Sequence, residues 1–136
     1  DVYFAVGGFD ESLPRYGFDD VDFSWRVQEA GYHLGYVPTA VVDFSLAEAS
    51  ASVRKRFLLG KGRVLMAHRY PGYDGTTYTV AKGLRDLATV TWTGLRRGRS
   101  GLRDTARDSI AAAGRLVGVV GYRLRGYPER DLMHRD

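Results

Sequence analysis

The chain has 136 residues, 44% of them hydrophobic and 26% charged, the size and make-up of one globular domain with a single core. It contains no cysteine, which excludes disulfides and thiolate-held metals and fits a reducing, cytoplasmic setting. The net charge of +4 is unevenly spread: from Leu95 to Asp136 there are ten Arg against five acids, whereas the first forty-odd residues are acidic.

The opening, "DVYFAVGGFD", has neither the basic start nor the apolar stretch of a signal peptide, and it lacks a starting Met. It reads as a chain entered mid-pattern, hence a fragment. "VYFAV" is a short apolar helix or strand end that meets a Gly7-Gly8 turn, and Pro14 and Gly17 punctuate the loop that follows. From Asp19 the spacing turns helical: Val21 with Trp25, Phe23 with Val27, then Ala30, before Gly31 ends a helix of about three turns. "YHLGYVP" and "TAVVDFS" are rich in β-branched and aromatic residues and predict two short strands broken at Pro38. "SVRKRFLLGKGRVLMAHRYPG" predicts a basic helix interrupted by Gly60 and Gly62 and stopped before Pro71.

Beyond "GYDGTT" two amphipathic helices follow. One carries Val80, Leu84, Leu87, Ala88, Thr91 and Leu95, the other Leu102, Ala106, Ile110, Ala113, Val117, Val120 and Leu124. Arg103, Arg107, Arg115 and Arg123 accompany the second stripe, which would either rest on an anionic membrane or pack against protein. Gly114 and Gly118 form a G-x-x-x-G, a weak signal outside an apolar span. No apolar run approaches the ~20 residues that cross a bilayer. The division expected is a unit over 1–75 and a basic helical tail over 76–136.

"GFDDVDFSWR" crowds Asp19, Asp20 and Asp22 where the first long helix begins. One carboxylate suffices to cap a helix and meet its positive end. Three like charges repel one another unless a cation or polar ligand uses them. A carboxylate at a helix mouth is also placed to take a proton from a hydroxyl.

"VGGFDESLPRYGFDDVDFSWRVQEAGYHLGYVPTAVV" resembles the acceptor-side half of inverting GT-A glycosyltransferases of family 2. Members of that family carry a G-G-F-D-E element, then G-E-D-x-D-[LF]-x-x-R, then G-[YF]-x-[LI]-x-[YV]-x-P-x-A. The likeness covers residues 4–42, and "RKRFLLGKGRVLMAHRYPG" resembles the basic segment that follows. It implies a mixed α/β fold, transfer of a sugar from a nucleotide-sugar to a hydroxyl with inversion, and Asp20 as catalytic base. It further implies that Gly8, Asp19, Asp22 and Arg26 lie at the acceptor, Asp19 standing where relatives carry Glu. Lys61 and Arg63 would lie near the donor diphosphate, or else form a solvated basic face. Asp43 stands where many relatives place a metal-binding His, so it is a candidate oxygen ligand for Mg²⁺ or Mn²⁺. The nucleotide-binding half and its D-x-D, which lie upstream in relatives and would hold most of that cation, are not in this sequence. The partners implied are a nucleotide-sugar, a sugar or lipid-linked acceptor and the inner face of a cell membrane. A second class is a non-catalytic basic module for membranes or polyanions. Aromatic residues interleaved for base stacking are sparse in the tail, which argues against nucleic acid.

Overall fold

The structure, a computed structural model, describes residues 1–43, 51–97 and 102–133. Its helical segments are α1 (Val2–Ala5), α2 (Asp19–Glu29), α3 (Ala51–Arg69), α4 (Pro71–Asp74), α5 (Val80–Arg97) and α6 (Leu102–Arg125). α2 ends at Ala30, and Gly31 follows with φ of +87°, a conformation glycine adopts without steric cost.

The described residues contain no strand, and this overturns the expected mixed α/β fold. Residues 32–43, read as strands from their Val and Tyr content, lie exposed along their whole length, with Val41 and Val42 at 83% and 81% exposure. Their backbone bonds are local, such as the Ala40 N–H donating to Val37 O at 3.1 Å. A strand is completed by a neighbour's ladder of N–H and C=O groups. No described segment pairs with residues 32–43 through a backbone ladder, so their β propensity has nothing to act on. Phe44 and Ser45, the end of the second predicted strand, lie outside the described residues.

α3 is the centre of the packing. α6 runs along one side of it, and α5 lies antiparallel to α6, with Gly83 beside Leu116 and Gly94 beside Thr105. The core joins Val64 and Leu65 of α3 to Val119 and Tyr122 of α6, with Leu13, Tyr78, Val80 and Tyr127 packed around them. Each fully buried aliphatic side chain here contributes about 1.5–3 kcal/mol.

Gly60 and Gly62 do not interrupt α3, which is continuous through both. In a helix interior each costs about 1 kcal/mol relative to Ala; what that opens is backbone approach. A Cβ on Gly60 would overlap Ala111 O, and one on Gly114 would overlap Phe57 O. Gly118 lies over Lys61 in the same crossing. The G-x-x-x-G of α6 is therefore a helix-crossing element of the packed core, and Gly114→Ala should lower stability by about 1–3 kcal/mol through overpacking. Gly121, with nothing within 4 Å of its missing Cβ, is the control: Gly121→Ala should hold or raise stability by up to about 1 kcal/mol. Thermal unfolding followed by circular dichroism separates the two.

Candidate functional site

The three aspartates of α2 have separate fates. Asp19 and Asp20 are exposed on its first turn, whereas Asp22 is fully buried. None of them stands at the N-cap itself, which is Phe18 with no side-chain cap bond, but all three lie in the first turn at the positive end of the helix. Asp20 Oδ1 accepts only from the adjacent Val21 N–H, at 2.8 Å, and its carbonyl accepts from the Ser24 hydroxyl at 2.7 Å. Among the described residues no ion pair takes up Asp19 or Asp20.

The mouth of α2 is held under strain. Tyr16 and Phe18 have φ of +73° and +75°, a region costing a side-chain-bearing residue about 1–2 kcal/mol. The space over α3 that Gly62 leaves holds the Phe18 ring, whose Cδ2 would be 3.0 Å from a Cβ there, and Pro14 lies against the same glycine. The neighbouring Gly17 is buried over Leu59. A tight seat on α3 thus fixes the direction in which α2, and with it Asp19 and Asp20, leaves the loop.

Beneath the mouth lies a buried ionic cluster. Asp22 Oδ2 accepts from Arg26 Nε at 2.7 Å and Oδ1 accepts from the Tyr70 hydroxyl at 2.8 Å. The other Arg26 nitrogens donate to Val6 O at 2.5 Å and Gly8 O at 2.7 Å. Asp10 pairs with Arg69 Nη1 at 2.5 Å and accepts from the backbone N–H of Ser12 and of Asp131. Arg69 also donates to the Ser12 hydroxyl and to Pro128 O, and its Nη1 lies 3.9 Å from Asp22. Trp25 packs edge-on to Tyr70, and Arg130 lies over the Tyr70 ring. Among the described residues every buried side-chain polar atom has a partner, the condition under which buried charge is tolerated.

Of the residues the sequence singles out, Asp19 and Asp20 are together at the surface, while Asp22 and Arg26 face each other in the interior. Gly8 is buried at φ +67°, with its carbonyl on Arg26 and its missing Cβ beside the Tyr3 ring. Lys61 faces α6, its ammonium over the Tyr122 ring, in a cleft of about 500 Å³ lined by Ser12, Arg125 and Tyr127. Arg63 is exposed on α3, and Asp43 is exposed on the 32–43 segment. The described residues contain no group of three His, Asp or Glu able to hold a cation. The sequence reading missed Asp10, Arg69 and Tyr70; the four-residue spacing of Asp22 and Arg26 was the available sign of the buried pair.

No family model matches the chain, and no curated protein or solved structure shows significant similarity to it.

Burial alone would raise the Asp10 carboxyl, but the Ser12 hydroxyl, the N–H groups of Asp131 and Ser12 and the Arg69 charge outweigh it and hold it below its ordinary value. Burial raises the Tyr70 hydroxyl well above its ordinary value, helped by its bond to Asp22 and that carboxylate's charge. Tyr122 is pushed up to about 12, again chiefly by burial. A depressed carboxyl adds stability above its unfolded pKa, near 3.9, that is lost as pH falls through the folded value; a raised tyrosine adds stability below about 10 that is lost as pH rises. The melting temperature should therefore fall below about pH 4 and above about pH 10. Asp10→Asn should flatten the acid limb and Tyr70→Phe the alkaline limb. Asp22→Ala, which leaves Arg26 buried without its carboxylate, should cost about 3–5 kcal/mol in urea unfolding at pH 7.

Proposed function

We propose that this chain bears the acceptor side of an inverting glycosyl transfer from a nucleotide-sugar, with Asp20 as general base. The observation that carries this reading is the division of the aspartates. Asp22 is the structural acid and is engaged on both oxygens, which leaves Asp19 and Asp20 as solvent-facing carboxylates on a helix mouth seated by Phe18. The "GGFDE" and "DDVDFSWR" elements support it independently, since Gly8, Asp10, Asp22 and Arg26 all enter the frame on which that mouth is built.

In the reaction, the acceptor O–H gives its proton to the Asp20 carboxylate as the oxygen bonds to the anomeric carbon. The bond from that carbon to the diphosphate breaks on the opposite face, and the electron pair leaves with the nucleotide. Asp19 holds the acceptor through a neighbouring hydroxyl. Lys61 and Arg63 are the cations that the resemblance puts beside the departing diphosphate, where they would offset its charge. The described side chains do not themselves form a divalent-cation site, and no step here runs through one. The setting that suits a nucleotide-sugar donor is cytoplasmic, at the inner face of a membrane where a lipid-linked acceptor is present.

Transfer assays on the complete gene product test the assignment. Asp20→Asn should lower kcat by about 10²–10⁴-fold, with donor KM and melting temperature near those of the wild type. Turnover within a few-fold of wild type would refute the base. Asp19→Asn should raise acceptor KM more than it lowers kcat, and an unmoved KM would return Asp19 to a merely electrostatic role at the helix terminus.

A further inference from the structure

The apolar stripe of α6 does not face α3. At about 3.6 residues per turn, Ala111, Gly114, Arg115 and Gly118 meet α3, and Thr105 and Leu116 meet α5. The third side carries Val117, Val120 and Leu124, exposed by 49%, 38% and 80%. α5 does the same: Gly83 and Gly94 meet α6, while Leu84, Trp92 and Leu95 are exposed by 54%, 58% and 72%. Because the two helices are antiparallel, both stripes lie on one side of the pair, opposite α3, and make one continuous apolar face.

The charges around that face are sorted by sign. Arg85 and Arg96 are exposed along its α5 edge and Arg107 and Arg125 along its α6 edge. Arg96 lies 4.9 Å over the Trp92 ring, so an amphipathic aromatic and a cation share the boundary. By helical phase Asp86, Asp104 and Asp108 lie off the apolar face, Asp86 beside Arg115 and Asp104 paired with the edge residue Arg107 at 3.6 Å. No helix among the described residues is long and apolar enough to cross a membrane.

We infer that the α5–α6 pair is an interfacial docking surface for an anionic phospholipid bilayer, lying in the headgroup plane with its apolar face down and its arginines on the lipid phosphates. Apolar area bordered on both edges by cations and free of acids is complementary to such a surface. A protein partner of ordinary composition would place acids and hydrogen-bonding groups at its rim and would not prefer one lipid charge.

The test is cosedimentation of the full chain with vesicles of phosphatidylcholine alone or mixed with phosphatidylglycerol. Partitioning should be at least tenfold stronger on the anionic vesicles and should fall as salt rises. Arg85→Gln with Arg125→Gln should weaken anionic binding by roughly 25-fold, about fivefold per arginine, with the melting temperature unchanged. Leu95→Asp with Leu124→Asp should abolish binding to both vesicle types. Brominated lipid should quench Trp92 and spare Trp25, which is packed on Tyr70. Equal binding to both vesicle types, or no binding to either, would overturn the inference. So would a concentration-dependent dimer in sedimentation equilibrium that the Leu95→Asp and Leu124→Asp pair dissolves, because the face would then belong to a second copy.

Discussion

Everything on the acidic side of the molecule hangs on Asp22. A carboxylate with no exposure is tolerable only when both of its oxygens are engaged, and Arg26 of the same helix fills one while Tyr70, the residue after α3, fills the other. That requirement joins α2 to the end of α3. It then spreads: Arg26, held by Asp22, reaches the carbonyls of Val6 and Gly8 and so fixes the turn after α1. Tyr3, Phe9 and Phe23 pack in a ring cluster over the same junction. Asp10 and Arg69 repeat the device one step away and add the 128–131 segment. The buried Asp22 pairs and the Phe18 seat on α3 together tie down the helix that carries Asp19 and Asp20.

The helices were legible where their evidence is local. α2, α5 and α6 follow from apolar spacing and from glycine at the end of α2, signals contained within each segment. The reading of 32–43 as strand failed because pairing is a property of two segments, and Val and Tyr content describes only one. Gly60 and Gly62 misled for the opposite reason. Glycine in a helical pattern suggests a break, yet here Gly60 marks the approach of α6, some fifty residues further along the chain, and Gly62 the seat of the Phe18 ring from the loop before α2.

The site was legible in part. The crowding of Asp19, Asp20 and Asp22 raised the question of use, and the fold answers it by burying one and exposing two. Which one is buried follows from helical phase, since Asp22 shares a face with Arg26, one turn on. Asp10, Arg69 and Tyr70 carried no such mark, because their partners lie 48 to 121 residues away in the chain. The stripe on α6 was visible as a pattern, but its direction was not. Gly114 and Gly118 lie at the crossing and Val119 and Tyr122 fill the core beside it, which leaves Val117, Val120 and Leu124 on another side of the helix.

The pairing of residues 7–11 with residues 128–133 bears on how the chain reaches this state. Glu11 N–H donates to Asp131 O, Met133 N–H to Gly7 O and Asp131 N–H to Asp10, over separations of more than a hundred residues. Helical chains fold fast because their contacts are local, and closing a loop costs entropy that grows with the logarithm of its length. α5 and α6 are neighbours in sequence and close a short loop, whereas the bonds between residues 7–11 and 128–133 close nearly the whole chain and carry the largest closure cost among the contacts described.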